Sequence, residues 1–342
     1  MAVNPHFVSF GLFILDEFTF ADENGVPTGK TVPSQECSIG GGGTYAIIGA
    51  RIWLPPNSIG TIIDRGHDFP QHIQEKLLSY GSDLWHFRDH SDRETTRGLN
   101  SYIGDHRNFE YLNSRIRLSP RDLHGTRLVR PVIVHFICSP TRALQIISEA
   151  KQADDWKPIM IFEPVPFRCV PEELPSLKTA LPSIAILSPN AEEAFSLLSL
   201  TSPVTRDTVQ TAAARFLEFG VGEFGKGYVI IRCGALGACI AAREKGYKWV
   251  DAFWTAQDNG KIVDVTGAGN SFLGGLAAGL LLAKNDVYEA ALYASVSASF
   301  VIEQQGLPSL SVNPETGVEE WNDDSPQRRV DVLRQHHSKS QE

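Results

Sequence analysis

Residues 264–272 read Asp264-Val265-Thr266-Gly267-Ala268-Gly269-Asn270-Ser271-Phe272, and a run of small residues, Leu273-Gly274-Gly275-Leu276-Ala277-Ala278-Gly279, follows at once. Glycines just before a helix leave unpaired backbone N–H groups at its positive end, which makes an anion site. Such a site can hold the charge that develops on a phosphate in transfer. The plainer reading is a tight turn before a glycine-packed helix. Either way the stretch predicts a loop entering a buried helix. In the first reading Gly267, Ala268 and Gly269 turn their N–H groups towards a cleft.

Upstream, short apolar runs alternate with helical patterns. Phe7–Leu15, Gly60–Asp64, Pro131–Cys138, Pro158–Glu163, Ser183–Leu187 and Tyr228–Arg232 read as strands. Thr44–Leu54, Phe69–Tyr80, Thr141–Ala153, Asn190–Leu200 and Thr208–Phe219 read as helices, as do Ser271–Ala283 and Val287–Glu303. Ala238–Ala242 and Tyr247–Phe253 read as late antiparallel strands. Alternation of this kind indicates a mostly parallel sheet covered on both faces. The polar stretch Leu84–Arg127 supports no assignment.

The chain has 342 residues, with 31 basic against 40 acidic and a net charge of −9. An overall grip on nucleic acid is therefore not expected, because phosphate binding draws on a clustered basic excess. Five scattered cysteines form no C-x-x-C pair, which reads as a reduced, cytoplasmic protein. No apolar run reaches the roughly 18 residues of a membrane span.

Two further glycine signals are weaker. Gly25–Thr31 ends like a P-loop, but three residues separate its glycines and Val32-Pro33 follow, so it reads as a turn. Gly41, Gly43 and Ala46 satisfy G-x-G-x-x-A, with Asp64 ending a strand 23 residues later. That spacing admits an NAD-dependent enzyme using Gly41–Asp64, although the residues before it, Pro33–Ser38, are too polar for the buried strand the motif must leave.

The stretch 264–275 resembles the D-T-x-G-A-G-D signature of the PfkB carbohydrate kinase (ribokinase-like) family. Other segments resemble that family's motifs in the same order: Gly11–Asp16 its first strand, Gly40–Arg51 its glycine motif, Ser188–Glu193 its N-x-x-E motif, and Val229–Gly237 its nucleotide loop. Ala290–Gly306 resembles its closing helix. The resemblance implies a three-layer α/β/α fold with a mostly parallel central sheet and a small β lid. The kinase-like domain would cover 1–321, with the lid from about 22–38 and 101–118, and a charged tail would fill 322–342, where Val330–Leu333 could dock a short helix.

It also implies ATP-dependent transfer of phosphate to a sugar- or nucleoside-type hydroxyl, with Mg-ATP as donor and room for a monovalent cation. Asp16, Gly40, Gly41, Gly42 and Thr44 would hold the substrate. Asn190, Glu193, Arg232, Gly234, Gly237 and Asp264 would face the nucleotide, with Glu193 reaching Mg²⁺ through water. Gly267, Ala268 and Gly269 would form the anion hole. A homo-oligomer or a protein partner fits the resemblance equally.

The sequence departs from the family at telling positions. Asn270 stands where the catalytic Asp is usual, Thr44 where Asn is usual, and Arg232 where Thr is usual. Glu163-Pro164-Val165 resembles D-P-N without its Asn. A carboxamide can hydrogen-bond but cannot usefully take a proton, so the expectation is a slow or divergent kinase, or a pseudokinase that binds ligand and acts through a partner. Together the departures resemble a divergent fungal branch, the maintenance-of-killer-like proteins. Two side clusters remain: His86 with Asp89, His90 and Asp92, which on a helix could hold a metal, and Arg88, Arg93 and Arg97, which could face phosphate or a substrate acid, the plainer reading being a solvated or ion-paired stretch.

Overall fold

The computed structural model describes residues 6–23, 26–28, 38–103, 106–153 and 155–339. The chain runs β1 (Phe7–Ser9), β2 (Ile14–Ala21), β3 (Ser38–Gly40), α1 (Gly42–Arg51), β4 (Ile59–Gly66), α2 (Gln71–Leu78), β5 (Trp85–His90), β6 (Arg97–Ile103) and β7 (His106–Tyr111). It continues β8 (Ile133–Cys138), α3 (Pro140–Lys151), β9 (Ile159–Pro164), α4 (Leu174–Ala180), β10 (Ile186–Leu187), α5 (Ala191–Leu197), α6 (Arg206–Glu218) and β11 (Tyr228–Arg232). Then come β12 (Ala238–Ala242), β13 (Gly246–Val250), α7 (Ala268–Leu282), α8 (Val287–Val301), β14 (Leu310–Val312), β15 (Glu319–Trp321) and α9 (Pro326–Lys339).

Nine strands form the main sheet in the order β13-β12-β11-β10-β9-β8-β1-β4-β5. All neighbours are parallel except β11–β12 and β12–β13. Its inner strands carry apolar residues on both faces because helices cover both. One core gathers α1, α2, α7 and α8 on one side, and a second gathers α3 to α6 on the other. The small residues of α7 let it sit deep between α1 and α8. A Cβ at Gly274 would lie 1.8 Å from the Ala46 carbonyl oxygen, so the two backbones could not approach with a larger residue there.

Phe7–Leu15 is not one strand. β1 ends at Ser9, and β2 belongs to a second, four-stranded sheet in the order β3-β2-β6-β7. The chain turns between them at Gly11, which packs backbone to backbone on Gly43. The second sheet thus takes its strands from Ile14–Ala21, Ser38–Gly40 and Arg97–Tyr111. Of the stretch 22–38, residues 24–25 and 29–37 lie outside the described residues, and so does most of the P-loop-like segment. The stretch 322–342, expected as a tail, carries the fourteen-residue α9. Val330 and Leu333 are buried, and Arg329 pairs with Glu303 and Asp324 at 2.7 Å each. No described helix is long and apolar enough to cross a membrane.

Candidate functional site

Gly267 caps α7 in the left-handed region, at φ 76°. A Cβ there would also strike the Tyr45 ring at 2.3 Å. Asp264 Oδ1 accepts the Thr266 N–H at 2.9 Å, and the Ala268 N–H bonds the Val265 carbonyl at 3.2 Å. The amides of Gly269 and Asn270, in the first turn, have no carbonyl one turn back within the helix, and the helix dipole favours an anion beside them.

Beside this turn lies a cavity of about 290 Å³, lined among others by Arg232, Gly234, Gly237, Gly269, Phe272 and Ala298. Ala268 lines it as well, whereas Gly267 shapes the turn from behind. The walls are mostly apolar, with Arg232 against the first turn of α7 and Ser295 and Ser299 of α8 among the few polar groups. A mostly apolar cavity with a few polar groups has the make-up of a small-molecule site.

The polar end is a buried network that joins distant parts of the chain. The Gly11 N–H bonds Ser9 Oγ at 3.1 Å, Ser9 Oγ lies 3.1 Å from His135 Nδ1, and His135 Nε2 lies 3.0 Å from Glu163 Oε2. The chain of donors assigns the proton to Nε2. Asn270 Nδ2 donates to the same Oε2 at 2.9 Å. Arg232 Nη1 meets Glu163 Oε1 at 2.8 Å, while its Nη2 bonds the Ser188 carbonyl at 3.1 Å and lies 3.5 Å from Glu193 Oε2. Arg232 Nε is buried with no partner among the described residues. A Cβ on Gly269 would lie 2.1 Å from Arg232 Nη1, so the guanidinium rests directly on the α7 turn.

Burial alone would raise the Glu163 carboxyl. Arg232, then His135 and Asn270, overcome that and hold it at about 2. Glu193 goes the other way. Burial raises it to about 7, with Glu163 adding to the rise and Arg232 opposing it. Glu193 and Asn190 also close α5 as a capping box: the Glu193 N–H donates to Asn190 Oδ1 at 2.8 Å, and the Asn190 N–H donates to Glu193 Oε2 at 2.8 Å. Asn190 Nδ2 donates to Glu193 Oε1 at 2.9 Å.

These carboxylates do not fit a directly held Mg²⁺. Their oxygens are engaged by amides and by Arg232, and no group of three or more His, Cys, Asp or Glu among the described residues could hold a metal. The positive charge between them is the guanidinium.

The raised Glu193 carboxyl gives a pH signature. A carboxyl with a raised folded-state value contributes stability that is whole below its ordinary 4.5 and is lost as pH rises through about 7. Glu193→Gln keeps the cap and removes the titration. The urea midpoint of the wild type is therefore expected to fall between about pH 4.5 and 8 relative to that of the variant. Parallel curves would contradict the assignment.

Asp16 lies on β2 opposite Ser38, and it is buried. A Cβ on Gly40 would sit 2.0 Å from Asp16 Oδ2, so the carboxylate lies across that glycine. Gly41 caps α1, and Gly42 faces Ile137 and Asn270: its Cβ would meet Ile137 Cδ1 at 2.3 Å and Asn270 Nδ2 at 2.9 Å. Thr44 is fully buried and donates its hydroxyl to the Gly40 carbonyl at 3.0 Å.

The NAD reading fails on geometry. The strand before Gly41 is β3 of the small antiparallel pair, not a parallel strand of the main sheet. Asp64 is already taken by Arg88 at 2.7 Å and His90 at 2.7 Å. His86 and His90 lie on β5, not on a helix, and four strand residues span about 13 Å, too far to share a metal. Arg88 also pairs with Asp122, and Arg97 pairs with Glu17 and Asp68. Arg93 bonds the Ser114 carbonyl.

The residues not anticipated are Ser9, His135 and Glu163 acting together. A histidine inside the apolar run Ile133–Cys138, and a glutamate closing Ile159–Pro164, were the available signals.

A family model described as pfkB family carbohydrate kinase matches residues 137–313. An uncharacterized protein of Schizosaccharomyces pombe is 33% identical over 341 residues, covering 95% of this chain and 91% of its own. Protein MAK32 of Saccharomyces cerevisiae is 35% identical over 323 residues, covering 88% and 85%. Arabidopsis thaliana ribokinase complexed with ribose and ATP shares the fold, with a TM-score of 0.64 at 20% identity over 97% of this chain and 99% of that one. The chain thus belongs to the pfkB family of carbohydrate kinases, in the divergent branch that holds these two fungal relatives.

Proposed function

We propose that this protein binds ATP in the apolar cleft and passes its terminal phosphate, slowly, to the hydroxyl of a sugar- or nucleoside-type molecule. The observation that carries this reading is the cleft's polar end. There Gly269, whose N–H has no carbonyl one turn back within the helix, lines the cleft beside the Arg232 guanidinium. Phosphate oxygens could accept from both. The ribose-and-ATP complex of the Arabidopsis ribokinase supports the class of ligand. Asp16, lying across Gly40, would accept hydrogen bonds from acceptor hydroxyls. Four free cysteines, Cys138, Cys169, Cys233 and Cys239, support a cytoplasmic setting.

Slowness follows from the acid–base inventory. Asn270 spends its Nδ2 on Glu163 and has Oδ1 left as an acceptor. It can orient a hydroxyl but cannot take its proton. Glu163, at about 2, is too weak a base to compensate. Glu193 is better tuned, but Asn190 holds both of its oxygens. Positioning and electrostatics still favour transfer, so the site keeps part of its catalytic power. The second reading, a binding protein that acts through a partner, is favoured by the Asn270–Glu163 bond, which turns the side chain inward.

Calorimetric titration with ATP tests the nucleotide half. The wild type is expected to bind saturably, and Ala298→Phe, which fills the cleft, to bind roughly tenfold or more weakly, the scale of a lost apolar contact. A wild type that does not bind ATP overturns the proposal.

A further inference from the structure

A second cavity, of about 490 Å³, opens where β1, β8 and β9 end, and Tyr111 of the small sheet forms part of its wall. Four arginines line it: Arg115, Arg117, Arg142 and Arg168. Among the described residues only Arg168 is answered by an acid, Glu173. Arg142 donates Nη2 to the carbonyls of Arg117 and Leu118 at 3.1 and 3.2 Å, and Nη1 to Gln145 Oε1 at 3.2 Å. Arg115 lies 4.0 Å over the Tyr111 ring. Among the described residues no carboxylate pairs with Arg115, Arg117 or Arg142. Three uncompensated guanidinium groups in one hollow stand out in a chain of net charge −9. Elsewhere in the fold Arg51, Arg65, Arg88, Arg97 and Arg329 each have an acid partner, while Arg93, Arg127, Arg215 and Arg243 stand singly and bond backbone carbonyls.

The hollow adjoins the point of transfer. Ile137 lines it, and Ile137 and Asn270 meet over Gly42. A ligand reaching Asn270 with one hydroxyl can therefore extend its far end among the arginines. Guanidinium forks match phosphate oxygens in geometry and charge. From this juxtaposition we infer that the acceptor is itself a phosphorylated small molecule, a sugar- or polyol-type phosphomonoester whose phosphate sits among Arg115, Arg117 and Arg142. The inference rests on the proposed cleft for transfer but reads a different cavity.

The test is titration with ribose 5-phosphate and glucose 6-phosphate beside ribose, glucose, gluconate and inorganic phosphate. At least one phosphorylated sugar is expected to bind roughly 10- to 100-fold more tightly than its unphosphorylated counterpart, the scale of a charged hydrogen bond. That preference should shrink as salt rises. Arg117→Gln and Arg142→Gln are expected to remove most of the preference, with melting midpoints near that of the wild type showing that they fold. Equal affinity for phosphorylated and free sugars overturns the inference. So does tighter binding of gluconate, or a preference that survives both substitutions. Failure of ATP to bind, with the phosphosugar preference intact, would sink the transfer reading and leave this site standing.

Discussion

Arg232→Met is expected to cost about 3–5 kcal/mol of unfolding free energy, the loss seen when one partner of a buried ion pair is removed. Methionine fills much the same volume, so the loss is electrostatic. Glu163 keeps only His135 and Asn270, and its carboxylate then faces Glu193 with no cation between them. Both acids should respond by taking up protons, because burial favours the neutral form. The destabilisation, read from urea denaturation, should therefore be smaller at about pH 5 than at pH 8. Arg232→Lys keeps the charge but loses the fork that reaches Glu163, Glu193 and the Ser188 carbonyl together, and it should fall between the two. A methionine variant as stable as the wild type at both pH values would show that the network carries no stability.

The second large effect concerns the pair Asn270 and Glu163. Sequence alone suggests that Asn270→Asp restores a general base. The structure shows why that substitution by itself should gain little. It replaces a donor 2.9 Å from Glu163 Oε2 with a second carboxylate. Two carboxylates sharing a site cannot both ionise easily, so the new acid would hold a proton. Combining Asn270→Asp with Glu163→Gln exchanges donor and acceptor and conserves net charge. The Gln amide can then donate to the Asp, which lies at the N-terminal turn of α7 where a negative charge is favoured. Phosphoryl transfer by the double variant is expected to exceed that of wild type and of Asn270→Asp by about 10² to 10⁴, the range of a general base. Equal rates in all three would place the lesion elsewhere and favour the binding-only reading.

The fold was legible because its inner strands are buried on both faces and read as short apolar runs. Tyr228–Arg232 and Ala238–Ala242 match their strands end to end. β5 escaped because an edge strand needs no apolar run: Trp85–His90 reads WHFRDH. β6 and β7 carry no such run either, and only the resemblance pointed to strands near them, at about 101–118. α9 looked like a tail because its charges are conspicuous, yet Arg329 is buried between two acids and Val330 and Leu333 pack inward. The glycine turn before α7 and the Asn at position 270 were written locally, within one motif. The network was not, since it joins His135 to Glu163 across 28 positions and Glu163 to Asn270 across 107. Only the sheet order brings those residues together. That is also why Arg232 looked like a lost Thr when it is the cation between two buried acids.

On the proposed reading the cleft binds ATP while the chemical step is slow for want of a proton acceptor at Asn270. Single-turnover transfer from γ-labelled ATP, with wild-type protein in excess and the best-binding acceptor of the panel saturating, tests it most directly. The expected result is nucleotide fully bound and transfer well below about 1 s⁻¹, the floor of ordinary kinases. Transfer by the wild type within the ordinary range of about 1–100 s⁻¹ would contradict it.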